Sequence, residues 1–174
     1  MDKYEDLLKE KKRRIENVGP VVSEKDINSI LFPFQRNIVK WAVRKGRACI
    51  FADCGLGKTF MQIEWARLVA PAGRVLIVAP LAVAEQTIRE GEKLGVPIRH
   101  VARPDDLSGI QITNYEKIHH FVGVKYDALV LDESSILKSV DGKTRTMIPV
   151  SYTHLRAHET VLDLVCRLLL EKKK

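Results

Sequence analysis

The 174-residue chain predicts an α/β domain with a mainly parallel sheet and helices on both faces. Three observations carry that expectation. Apolar strand-like runs alternate with helical patterns, a glycine-rich turn joins the first run to a helix, and a later apolar run ends abruptly in two acids. Alternation of this kind reads as successive βαβ units. Their right-handed crossovers place helices on both sheet faces and leave ligands to the C-terminal strand edge.

Residues 2–16 read as a helix rich in charge, with the cluster Lys9-Glu10-Lys11-Lys12-Arg13-Arg14 set among five acids. A solvated helix face accounts for such mixed charge. Gly19-Pro20 then breaks the chain, so residues 1–19 stand apart from a domain spanning 20–148. Strand patterns fall at 48–52, 74–79, 98–101, 110–113 and 128–132, and helical patterns at 61–69, 83–94 and 115–121. His119 and His120 close the last helix. Neighbouring positions diverge on a helix, so no metal site is expected there.

Composition sets broad limits. Apolar content of 45% is ordinary for a globular domain, and 174 residues can bury a sizeable core. No apolar run reaches 18 residues, which excludes a membrane-spanning helix. The charged N-terminus lacks an apolar signal core, and an intracellular, cytoplasmic protein is expected. Cys49, Cys54 and Cys166 form no CxxC or His-spaced set. They read as reduced thiols, with no structural metal. A formal net charge of +7 suits a polyanionic partner.

The stretch Ala52-Asp53-Cys54-Gly55-Leu56-Gly57-Lys58-Thr59 is the first chemical motif. A strand, a glycine-rich turn and a helix N-terminus aim several backbone N–H groups at one anion. Glycine lets the backbone approach that anion without a side chain intervening. Lys58 then supplies a cation for the β- and γ-phosphates, and Thr59 a hydroxyl for Mg²⁺. The strict pattern has glycine where Ala52 stands, and Gly55 takes over the flexibility. The second motif is Ala128-Leu129-Val130-Leu131-Asp132-Glu133. Carboxylates ending a buried parallel strand sit at the ligand edge of an open sheet. Asp132 there holds Mg²⁺, directly or through water, and Glu133 orients and deprotonates an attacking water. A solvated strand end is the alternative for the two acids, and a plain tight turn for the loop.

Together these motifs resemble the first motor domain of a superfamily 2 helicase or translocase. Asp53-Cys54-Gly55-Leu56-Gly57-Lys58-Thr59 resembles the D-x-G-L-G-K-T loop of the Swi/Snf-type branch. Asp132-Glu133-Ser134-Ser135 stands where the superfamily carries D-E-A-D or D-E-A-H, and Leu137-Lys138 continues the match. The Ser-Ser variant and Asp141-Gly142-Lys143-Thr144-Arg145-Thr146 are similar to phage and prophage helicase-like proteins. Leu31-Phe32-Pro33-Phe34-Gln35 resembles the glutamine motif that reads adenine, where an amide pairs with N6 and N7. The alternative for Gln35 is a polar residue in a helix's first turn.

The resemblance covers about residues 30–148 and implies a RecA-like P-loop fold. It also implies ATP and Mg²⁺ as cofactors, and DNA or RNA as partner of a full-length parent in a bacterium or phage-infected host. It places nucleic-acid contacts at Ala79, Pro80 and Leu81, and at Thr113 and Asn114 within Gln111-Ile112-Thr113-Asn114-Tyr115-Glu116-Lys117. Ordinary strand-to-helix turns would look the same at both places.

Residues 149–174 read unlike the rest. Val150-Ser151-Tyr152-Thr153-His154-Leu155-Arg156-Ala157-His158-Glu159-Thr160 resembles a translated transposase-type sequencing adapter, and Lys172 to Lys174 an adenine run. On that reading the tail is not native, and the domain is cut before the family's third motif and second motor domain. Val161, Leu164, Val165, Leu168 and Leu169 also share one helix face, so an amphipathic helix is the alternative. Without residues 150–174, which carry five basic and three acidic residues, the net charge is +5. Lacking the second domain's arginines, worth roughly 10³–10⁵ in related NTPases, the chain is expected to turn over ATP very slowly, if at all. Two rival functions stay open: another P-loop NTPase, and a non-catalytic one-domain ATP-binding module.

Overall fold

The computed structural model describes residues 17–53 and 55–132. The charged segment 2–16, Cys54, Glu133, the Ser134-Ser135 variant and the adapter-like tail lie outside the described residues.

Among the described residues, four parallel strands form one sheet: β1 (Arg74–Ala79), β2 (Ile98–His100), β3 (Gly109–Asn114) and β4 (Ala128–Leu131). Their order is β2-β3-β1-β4. β1 runs beside β3 from Arg74↔Gly109 to Ala79↔Asn114, and beside β4 from Val75↔Ala128 to Val78↔Leu131. The α-helices among the described residues are α1 (Pro33–Lys45), α2 (Lys58–Val69) and α3 (Leu81–Lys93). A 3-10 helix, Tyr115–Phe121, follows β3.

Strand period divides the core in two. Side chains alternate faces along a strand, so Val75, Ile77 and Ala79 of β1 join the cluster under the α-helices. Leu76 and Val78 point to the opposite face, where Tyr115, Ile118 and Phe121 of the 3-10 helix cover them. Tyr115–Phe121, read from the sequence as helical, is thus the second-face layer.

Each helix shows why its sequence took that form. Pro33 occupies the first turn of α1, where its missing N–H costs nothing. Gln35, Val39, Ala42 and Val43 form the buried stripe of α1. α2 is buried on several sides at Met61, Ile63, Glu64, Ala66 and Leu68, since it packs against α1 and α3 and on the sheet. Glu64 is fully buried. Its Oε1 accepts from the Asn28 N–H (2.7 Å) and from Arg67 Nη2 (2.7 Å), and its Oε2 accepts from Arg67 Nε (2.9 Å). A buried carboxylate needs such pairing, and here it staples the chain before α1 to α2.

Two expectations need correction. Residues 48–52 carry the apolar pattern of a strand but form none. A strand exists only through a ladder, and β4, the sheet's end strand, pairs only with β1 among the described residues. Ile50 packs against the helix-side core while Phe51 stays 51% exposed. The second concerns His119 and His120, whose rings do not diverge. They lie 3.9 Å apart between centroids, tilted 46° to each other, on a 3-10 helix rather than an α-helix.

Candidate nucleotide site

The glycine-rich loop, the start of α2 and the end of β4 meet at the C-terminal edge of the sheet. Gly57 caps α2 in the left-handed region (φ 71°, ψ 41°), which turns the chain sharply into the helix. Lys58 is the first residue of α2, and its Nζ donates to the Ala52 carbonyl at 2.8 Å. An ammonium has three donors, so this bond spans the loop and leaves two for an anion. The Leu56 N–H donates to the Asp53 carbonyl at 3.4 Å, a long contact that closes the turn. Asp53 and Gly55 are exposed, and Ala52, Leu56, Gly57, Lys58 and Thr59 are half-buried.

Gln35 is drawn into the same site. Its Oε1 accepts from the Phe32 N–H at 2.9 Å, which caps α1. Its Nε2 donates to the Leu56 carbonyl at 2.9 Å. A carboxamide offers four hydrogen-bonding positions, and these contacts use two. The amide is therefore oriented by α1 on one side and by the glycine-rich loop on the other. A Cβ at Gly57 would sit 2.4 Å from Gln35 Nε2, so glycine is what lets the loop lie so close.

Asp132 is held from three directions. Its N–H donates to the Val78 carbonyl at 2.9 Å, extending the β1–β4 ladder by one residue. The Tyr115 hydroxyl donates to its backbone carbonyl. Gln62 Nε2 donates to its Oδ1 at 2.9 Å. Gln62 follows Thr59 by three residues on α2, so the two side chains are neighbours on one helix face. The hydroxyl and carboxylate assigned to Mg²⁺ are thereby brought to the same side of α2.

With this geometry in place, the chain can be set beside known proteins. No protein-family model matches it. A SWI/SNF-related matrix-associated actin-dependent regulator of chromatin subfamily A-like protein 1 from Xenopus tropicalis is 31% identical over 126 residues, 66% of this chain and 13% of that protein. The Sulfolobus solfataricus SWI2/SNF2 ATPase core in complex with dsDNA superposes with a TM-score of 0.60 at 21% identity, over 74% of this chain and 31% of that one. Both likenesses point to the Swi/Snf-type branch of superfamily 2 as what the chain is similar to. Its parallel sheet and helices form the RecA-like fold of that ATPase core, and it spans 13% of the curated relative's length.

The Swi/Snf-type resemblance also named five nucleic-acid positions, and the structure divides them. Ala79 is fully buried at the end of β1, Pro80 caps α3, and Leu81 is 59% exposed. Thr113 is fully buried, and its Oγ1 has no hydrogen-bond partner among the described residues. A phosphate contact from that hydroxyl requires the turn to open. Asn114 is buried and its side chain accepts from the Lys117 N–H at 3.0 Å, capping the 3-10 helix.

Two residues of this candidate site were not legible in the sequence: Gln62 and, as a hydrogen-bond donor, Tyr115. Gln62 sits one helical turn past Thr59, a spacing that was available as a signal. Tyr115 lies inside the stretch 111–117, but its bond to Asp132 spans 17 positions and depends on the strand order.

Proposed function

We propose that this chain binds ATP with Mg²⁺ as the first motor domain of a nucleic-acid-dependent ATPase. The observation that carries the reading is the convergence of Lys58, Thr59, Asp132 and Gln35 at one sheet edge. That edge is where open α/β sheets bind ligands. Likeness to the Swi/Snf-type motors supports descent from an ATP-hydrolysing parent. The hydrolytic competence of the chain itself belongs to the proposal.

The donor set suits Mg²⁺, a hard cation that takes oxygen ligands and keeps several waters. Asp132 contributes a carboxylate whose Oδ2 has no partner among the described residues, and Thr59 a hydroxyl on the adjoining helix face. Bound Mg²⁺ supplies counter-charge to the phosphate oxygens. Lys58 offers its remaining N–H donors to the β- and γ-phosphates, and the start of α2 offers backbone N–H groups. Gln35 offers its two remaining amide positions to the adenine edge. Glu133, next along from Asp132, serves as base for the attacking water.

DNA is the partner favoured for the intact motor. The neighbouring ATPase core was solved on dsDNA, and the basic balance of the chain suits a phosphate backbone. Contacts are assigned to the turns at Ala79–Leu81 and Thr113–Asn114, with Pro80 and Leu81 the side chains that reach the surface.

The test pairs two variants. Lys58→Ala should weaken ATP binding by about 3 kcal/mol, more than a hundredfold, because a phosphate loses its charged partner. Glu133→Gln in the full-length parent should keep ATP binding and abolish DNA-stimulated hydrolysis. Calorimetric titration reads the first, and phosphate release with and without DNA reads the second. Unchanged affinity in Lys58→Ala would refute the phosphate site, and hydrolysis stimulated by neither DNA nor RNA would refute the motor reading.

A further inference from the structure

Asp132 has a backbone fixed at both ends, by the Val78 carbonyl on its N–H and the Tyr115 hydroxyl on its carbonyl. What remains free is the rotation of its carboxylate, and Gln62 controls that. The amide Nε2 takes Oδ1 at 2.9 Å, a charge-assisted bond that settles which oxygen is engaged and which is presented. Among the described residues, no other side chain hydrogen-bonds that carboxylate.

The chemistry of the donor matters as much as its place. A lysine or arginine here would pair with Asp132 and offset the charge a cation needs. A carboxamide orients the carboxylate and leaves its full negative charge available. Gln62 also stands three residues after Thr59, so one turn of α2 carries both a hydroxyl for the cation and the clamp for its carboxylate. A single side chain thus links the helix to the strand end.

We propose that Gln62 is a positioning residue for the divalent cation, holding Asp132 so that its second oxygen faces the metal in register with Thr59. The proposal rests on the nucleotide–Mg²⁺ reading of the same edge. Partners that orient a metal ligand typically change metal affinity by about 10- to 100-fold when removed. Gln62→Met keeps the length and the apolar stem of the side chain and removes the N–H donor.

The experiment uses the 174-residue chain saturated with ATPγS and titrated with Mn²⁺, free Mn²⁺ being read by electron paramagnetic resonance. Affinity for ATPγS is measured separately in EDTA. The expected result is Mn²⁺ binding about tenfold weaker in Gln62→Met than in wild type, with ATPγS affinity in EDTA the same in both. Equal Mn²⁺ affinity in the two proteins would overturn the positioning role and leave the nucleotide reading standing. A loss of ATPγS affinity in EDTA would also overturn it, since Gln62 would then act through the loop. If wild type binds ATPγS but its complex holds no Mn²⁺, the cation site and this role fall together. If wild type binds no ATPγS at all, the nucleotide reading itself fails and the proposal with it.

Discussion

Strand β1 and residues 48–53 are both short apolar stretches that run toward the candidate nucleotide site, yet they are built differently. β1 is paired on both sides, by β3 and β4, and its side chains are buried on both faces. Residues 48–53 have no ladder, and Phe51 and Asp53 face solvent. The difference teaches that an apolar run becomes a strand only when neighbours supply its hydrogen bonds. It also separates the work of the two regions. β1 is fixed by its ladders, while the irregular segment is tied in by single bonds such as Lys58 Nζ to the Ala52 carbonyl.

The largest expected effect lies in β1. Ile77 is fully buried between α-helices and sheet, so Ile77→Ala should cost about 2–5 kcal/mol through lost burial and the cavity left behind. Phe51→Ala, on the unpaired segment, should stay within about 0.5 kcal/mol. Urea unfolding of the two variants measures the contrast directly. A Phe51→Ala cost approaching that of Ile77→Ala would mean that residues 48–53 are packed as a strand in solution.

The glycine-rich loop divides in the same way on a finer scale. Gly55 and Gly57 both have positive φ, 81° and 71°. A Cβ on Gly55 meets nothing within 4 Å, whereas one on Gly57 meets Gln35 Nε2 at 2.4 Å. Gly57→Ala should therefore cost about 2 kcal/mol, combining left-handed strain with loss of the Gln35–Leu56 hydrogen bond. Gly55→Ala should cost only the strain, about 1 kcal/mol. Equal costs in urea would show that Gln35 gives way freely and does not brace the loop.

Local chemistry explains which parts of the molecule were legible. The strand patterns at 74–79, 98–101, 110–113 and 128–132 fall within one residue of β1 to β4 at each end, and β1 was plainest because burial on two faces leaves a near-continuous apolar run. Lys58 and Asp132 stood out in the sequence because phosphate and cation chemistry would demand those residue types, and the structure brings both to one edge of the sheet. The Gln62–Asp132 bond was not visible. It joins positions 70 apart, and glutamine on a helix has no signature of its own. Glu64 was hidden for a similar reason, since an acid in a helix reads as solvent-facing until Asn28 and Arg67 close around it. The failed strand at 48–52 shows the converse, a correct pattern without the partner that realises it.

The smallest expected effect lies at the far side of the sheet and tests whether β1's well-packed region extends there. Asp105 accepts from Arg99 Nη1 at 2.7 Å, from Gln111 Nε2 at 2.8 Å and from the Leu107 N–H at 3.0 Å. The Arg99 guanidinium chiefly, then the Leu107 N–H, hold its carboxyl below the ordinary range against the opposing pull of burial. A carboxyl whose folded pKa is depressed stabilises the fold above its unfolded pKa, about 3.9, and loses that contribution as pH falls through the folded value. Stability should thus decline below about pH 4 more steeply in wild type than in Asp105→Asn, which has no charge to lose there. Urea midpoints measured from about pH 6 down to about pH 2.5 would show it. Parallel acid slopes would mean that Asp105 and Arg99 are solvated separately, and that the packed region ends at β3.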